Sequence, residues 1–126
     1  MENTNNLPVL EGFDLNIAME ILQSEEVVNI ILVEFDDFLD GIVPKLNGVY
    51  SDNMSDEDIQ RYIIDVHALK SSAATVGAME LSELAKSQEM AAKNGHMEQI
   101  REQHPIVLEQ VAKIKNVLHE YVLSRM

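Results

Sequence analysis

The sequence predicts an all-α fold, an antiparallel four-helix bundle with an additional short N-terminal helix. Apolar residues recur at alternating steps of three and four along four long segments and one short one. No segment sustains the alternation of a strand, and three prolines and five glycines leave room for long helices. Short loops between the segments make successive helices antiparallel neighbours. The 126 residues, 46% of them hydrophobic, fit a single domain with its bundle over about residues 14–124.

Asp14 is placed to cap the short first helix, which carries Leu15, Ala18, Met19 and Leu22 on one side. Ser24 reads as the cap of a second helix, with Glu25 and Glu26 at its positive end. Its apolar stripe is Val28, Ile31, Phe35, Phe38 and Ile42, widened by Val27, Leu32 and Leu39, as suits a helix with two neighbours. Pro44 is expected to kink or end it, and Gly48 to Asn53 reads as a loop.

Ser55 opens the third helix, with Asp58 a weaker capping-box partner than Glu. Ile59, Tyr62, Val66, Leu69, Ala73 and Val76 form its core stripe, and Gly77 is a natural stop. The fourth helix is expected from about Ala78 to Lys93, with Leu81, Leu84 and Ala85 inward and Asn94-Gly95 as its end. Val107, Val111, Ile114, Leu118 and Tyr121 mark the last helix, in which Pro105 is either a kink or the start of the regular part.

Composition narrows the chemistry. Without cysteine there is no disulfide framework, thiolate metal site or thiol nucleophile. A formal charge of −13 makes nucleic acid and anionic membrane poor partners, and it also serves solubility. No apolar run reaches the length of a membrane span and the N-terminus lacks a basic leader, so a cytoplasmic protein without membrane insertion is expected. The residues three before His67, His96, His104 and His119 are Ile64, Lys93, Arg101 and Asn116, so a carboxylate-bridged dimetal site is not supported. Nucleophile-elbow and phosphate-loop signatures are missing, and nothing points to an autonomous hydrolase.

His67 stands apart from the other histidines. It follows the core residue Val66 and so lies about 100° from the buried stripe, near the bundle's edge. Lys70 and Ser71 share its face, and Ser71 to Ala78 is almost entirely small. An imidazole standing among short side chains, beside a cation, suits a neutral ring attacking a phosphoryl group. Taken alone, the same pattern also fits ordinary helix surface and close helix packing. Ten residues before Gly77 stands His67, and twelve after it stands Glu89, so a hairpin there brings the two to one level. A carboxylate at Glu89 would fix the ring tautomer through Nδ1–H, although Lys86 and Ser87 share that level and Glu89 reads equally as solvated helix surface.

The stretch His67-Ala68-Leu69-Lys70-Ser71-Ser72-Ala73-Ala74-Thr75-Val76-Gly77-Ala78 resembles the signature of histidine phosphotransfer domains, usually His-x-Leu-Lys-Gly-Ser/Ala followed by a downstream Gly. Leu81, Ala85, Glu89, Ala92 and Gly95 fall where that family places Leu, small, Glu or Gln, Ala and Gly, and the Leu15–Leu22 and Phe35–Leu39 segments resemble its first two helices. The resemblance implies a phosphorelay carrier without turnover of its own. It implies His67 as phosphoacceptor, Lys70 as electrostatic partner, Gly77 as structural stop, and Ser71, Ser72 and Ala74 on the face that a partner meets. Receiver domains are the implied donor and acceptor, with a hybrid histidine kinase upstream, and no cofactor or resident metal is implied.

There are two departures from the family pattern. Ser71 replaces the usual Gly, placing a hydroxymethyl group near the ring, and Gln88 occupies a usually apolar position, either as a core polar group or as a partner of the ring. A docking bundle without phosphotransfer and the phosphoacceptor module of a larger chemotaxis-type kinase are the competing readings. The ends, Met1 and Met126, favour a free-standing protein, expected to be a monomer.

Overall fold

The computed structural model describes residues 7–125. Five helices and no strand occur among them: α1 (Leu15–Leu22), α2 (Glu25–Val49), α3 (Asp56–Thr75), α4 (Met79–Lys93) and α5 (Met97–Ser124). The caps are local and explicit. Asp14 accepts from Asn16 N–H at 3.1 Å and Ser24 from Val27 N–H at 3.3 Å. Ser55 and Asp58 close a reciprocal capping box, so the shorter Asp completes it.

The four long helices form a closed ring, α2 against α3, α3 against α4, α4 against α5 and α5 against α2, while α1 lies on α2 and α3. Cross-helix bonds give the directions. Asn47 of α2 meets His104 of α5 while Asn29 meets Tyr121, and Tyr62 of α3 meets Gln88 of α4 while the Lys70 carbonyl meets Ser82. In both pairs one residue number rises as the other falls, so the helices are antiparallel. The core between them is filled by Leu32, Leu39 and Leu46 from α2, Val66 and Leu69 from α3, Leu81 and Ala85 from α4, and Ile100, Ile114 and Leu118 from α5. Each fully buried leucine contributes about 1.5–3 kcal/mol through removal of apolar surface from water.

The helices run longer than the prolines suggested. Pro44 lies inside α2, which continues through Gly48 to Val49, and Pro105 lies inside α5, which starts eight residues earlier at Met97. Both prolines are exposed, as are Asp40 and Arg101, whose carbonyls they deprive of a helical donor, so water can satisfy those groups. Val27, expected to widen the buried stripe, is 37% exposed, and Leu84 is only half-buried. No helix of the described residues is long and apolar enough to cross a membrane.

The α3–α4 turn is held by glycine. Gly77 has φ 74°, and a Cβ built there would lie 1.9 Å from the Asp14 carbonyl oxygen. The Asp14 N–H donates to the Gly77 carbonyl at 2.8 Å, tying the start of α1 to the hairpin. Only glycine combines this backbone conformation with this approach.

Candidate functional site

The site lies on the exposed side of the α3–α4 interface. His67 follows buried Val66 and precedes half-buried Ala68, so the ring projects from the rim of the bundle, with its side chain 56% exposed. The small side chains across the hairpin allow α4 to approach closely, and Ser82 Oγ donates to the Lys70 carbonyl at 2.9 Å. That register brings Glu89 opposite His67: Nδ1 lies 2.8 Å from Glu89 Oε2. The other Glu89 oxygen, Oε1, accepts from Lys70 Nζ at 2.7 Å, and Lys93 Nζ stands 3.1 Å from Oε2.

Glu89 is therefore a buried carboxylate, with 5% of its side chain exposed, and not solvated helix surface. Burial alone would raise its pKa, but hydrogen bonds from Lys70, Lys93 and His67 outweigh it and hold the carboxyl down at about 2. An ionised carboxylate only accepts, so the shared proton belongs on His67 Nδ1. In the neutral ring this leaves the lone pair on Nε2, for which no protein partner occurs among the described residues. Two ammonium groups against one carboxylate leave the cluster with a net charge of +1, on a chain whose formal charge is −13. Lys70 spends one N–H on Glu89 and keeps two for an incoming anion.

Other residues of the predicted site fall around this triad. Ser71 is exposed and Ala74 half-buried, one and two turns along α3 on the His67 face. Ser72 is rotated about 140° from His67 and instead lines a shallow groove with Thr75 and with Ile31, Glu34, Phe35 and Phe38 of α2. Lys86 and Ser87 make no bond to the ring; Ser87 pairs with Gln99 and Gln103 of α5. Lys70, expected as a surface residue, keeps only 27% of its side chain exposed because Glu89 draws it inward.

One residue of the site, Lys93, went unread in the sequence, and of the two alternatives for Gln88 the core polar group is the one found. Lys93 joins the cluster from one turn beyond Glu89, a spacing that by itself signals an ion pair. Gln88 points away from His67 into the core, donating to Tyr62 Oη and to the Ile100 carbonyl, both at 3.0 Å. Tyr62 Oη lies 2.9 Å from His104 Nδ1, and burial lowers the His104 pKa, so the neutral ring accepts a hydrogen bond that the Tyr62 hydroxyl donates. Tyr50 stacks on the His104 ring at 3.8 Å between centroids. Among the described residues no group of three or more His, Cys, Asp or Glu side chains could hold a metal ion.

A four-helix bundle that presents a half-exposed imidazole at its rim, with Nδ1 held by a buried carboxylate beside two lysines, places the chain among helical domains that display a histidine. The Hpt domain family matches residues 26–120, and the chain belongs to that family of histidine phosphotransfer modules of phosphorelays. Members of the family are phosphocarriers that interact with receiver domains. Neither a curated protein nor a solved structure matches the chain.

Proposed function

We propose that His67 is the phosphoacceptor of a single Hpt domain spanning residues 1–126, and that it carries phosphoryl groups between receiver domains. The observation that carries this reading is the 2.8 Å contact of His67 Nδ1 with a buried, ionised Glu89, which leaves Nε2 outward as the nucleophile. In the forward step the Nε2 lone pair attacks the phosphorus of a receiver phosphoaspartate in line. The P–O bond to the aspartate breaks, its electron pair leaves with the carboxylate, and phosphohistidine forms. The Nδ1 proton stays against Glu89, which balances the charge on the substituted ring. Lys70, with two N–H groups free of Glu89, meets the phosphoryl oxygens.

The reverse of this step, onto a second receiver's aspartate, returns the domain to its starting state. Mg²⁺ and much of the charge stabilisation belong to the receiver, so the domain has no turnover of its own. Ser71 and Ala74, on the His67 face, and Ser72 at the neighbouring groove form the surface that the receiver meets. A cytoplasmic monomer fed by a hybrid histidine kinase fits this role. The test is incubation with a phosphorylated receiver: acid-labile phosphate on this chain is expected, and its absence with every receiver of the source organism overturns the proposal.

A further inference from the structure

The His67 arrangement occurs a second time in this chain, on the opposite interface of the helix ring. Between α2 and α5, the half-exposed His119 places Nδ1 3.1 Å from Oδ2 of Asp36, whose side chain is 6% exposed. Lys115, one turn earlier on α5, places Nζ 2.7 Å from Oδ1 of the same carboxylate. In both clusters one carboxylate oxygen takes an imidazole Nδ1 and the other takes a lysine. Burial raises the Asp36 pKa, but hydrogen bonds from Lys115 and His119 outweigh it and hold the group below the usual carboxylate range. Asp36 is thus an ionised acceptor, Nδ1 carries the proton, and the lone pair of the neutral ring sits on Nε2, which has no protein partner among the described residues.

The two clusters differ in charge. Lys115 also bonds Asp40 Oδ2 at 2.9 Å and the Asp36 carbonyl at 3.0 Å, which uses all three of its N–H groups. One ammonium against two carboxylates leaves a net charge of −1, where the His67 cluster has +1. A dianionic acyl phosphate is repelled there, and no lysine N–H is left to meet it. A small phosphoramidate is a monoanion, and its protonated nitrogen is ready to depart.

We propose that His119 is a second phosphoryl-accepting histidine, served by small N-phosphoryl donors of the phosphoramidate class. The Nε2 lone pair forms the new N–P bond as the donor's P–N bond breaks. That electron pair leaves with the nitrogen, which already holds its proton and departs as a neutral amine. Asp36 balances the positive charge formed on the ring, with the Nδ1 proton between them. His96 provides the internal comparison, being exposed with no hydrogen bond or ion pair at its ring among the described residues.

The experiment uses the His67→Gln chain, so its outcome does not depend on the role of His67. The folded protein is treated with potassium phosphoramidate, quenched above neutral pH, and mapped for phosphohistidine by tandem mass spectrometry over time. His119 is expected to label severalfold faster than His96, and in urea sufficient to unfold the chain the difference should vanish. Adding Asp36→Asn should slow labelling at His119 and leave His96 unchanged, with helicity measured alongside. If that variant does not fold, the His119-to-His96 comparison in the His67→Gln chain decides alone. Labelling of His119 no faster than His96, a difference that survives in urea, or a folded Asp36→Asn variant with unchanged His119 labelling overturns the proposal.

Discussion

Nδ1 of His67 and Oε2 of Glu89 stand 2.8 Å apart across the α3–α4 hairpin, joining a half-exposed ring to a carboxylate whose side chain is only 5% exposed. The contact fixes both the tautomer and the tilt of the ring. Glu89→Gln keeps an oxygen that Nδ1–H can reach but removes the charge that balances a phosphorylated imidazolium. Transfer from a cognate receiver should slow by about an order of magnitude. Quenched-flow phosphotransfer with circular dichroism of the variant checks this; an unchanged rate in a folded variant would reduce Glu89 to a structural group.

Lys70→Ala should slow transfer more than Lys93→Ala. Both lysines meet Glu89, but Lys70 lies one turn from His67 on its own helix face, whereas Lys93 approaches Glu89 from α4 and is 57% exposed. Because Lys70 is partly buried on Glu89, its loss should cost about 1 kcal/mol of stability, and Lys93→Ala less. Denaturant titration and transfer kinetics of the two variants separate the effects. Equal rates for both would mean that the phosphoryl group does not meet Lys70.

Gly77→Ala should be far more harmful than its size suggests. The new Cβ meets the Asp14 carbonyl oxygen, and alanine must also adopt φ 74°. We expect a loss of at least about 2 kcal/mol, read from the denaturant midpoint, with the α1 cap loosened first. A variant as stable as the parent would show that the hairpin does not depend on this approach.

Most of the bundle can be read locally because its signals are local. Asp14, Ser24 and Ser55 each bond a backbone N–H two or three residues on, and the His67–Glu89 level follows from helix rise and one turn. The remainder depends on where the finished bundle meets water. Pro44 and Pro105 are tolerated inside helices because they and the carbonyls they orphan face solvent, and Val27 leaves the core because of how α2 is rotated. The bond between His119 and Asp36, 83 residues apart, depends on the register of α2 against α5, which no local pattern encodes.

Acid should destabilise the protein in two separable steps. Neutral His104 in the core has a lowered pKa, while the unfolded chain takes up that proton near its ordinary value of 6.5. Its contribution is present above that value and is lost as pH falls below it. Glu89 contributes fully above its ordinary 4.5 and loses that contribution as pH falls toward about 2, roughly 2 kcal/mol after screening of its exposed partners. Thermal unfolding measured from pH 7 to pH 2 should show both declines, and Glu89→Gln should shrink only the lower one, to which Asp36 also contributes. A lower decline undiminished in that variant would assign it to other carboxylates.

The central claim is that receiver phosphate enters at His67 and nowhere else, and site-mapped transfer tests it most directly. A phosphorylated cognate receiver is mixed with the parent chain and with His67→Gln, quenched above neutral pH, and the phosphohistidine located by mass spectrometry. The account predicts label on His67 in the parent, none on the His67→Gln chain, and almost unchanged helicity and unfolding temperature, since the ring stands at the rim and not in the core. Receiver-derived label persisting in the His67→Gln chain, on His96, His104 or His119, would contradict it.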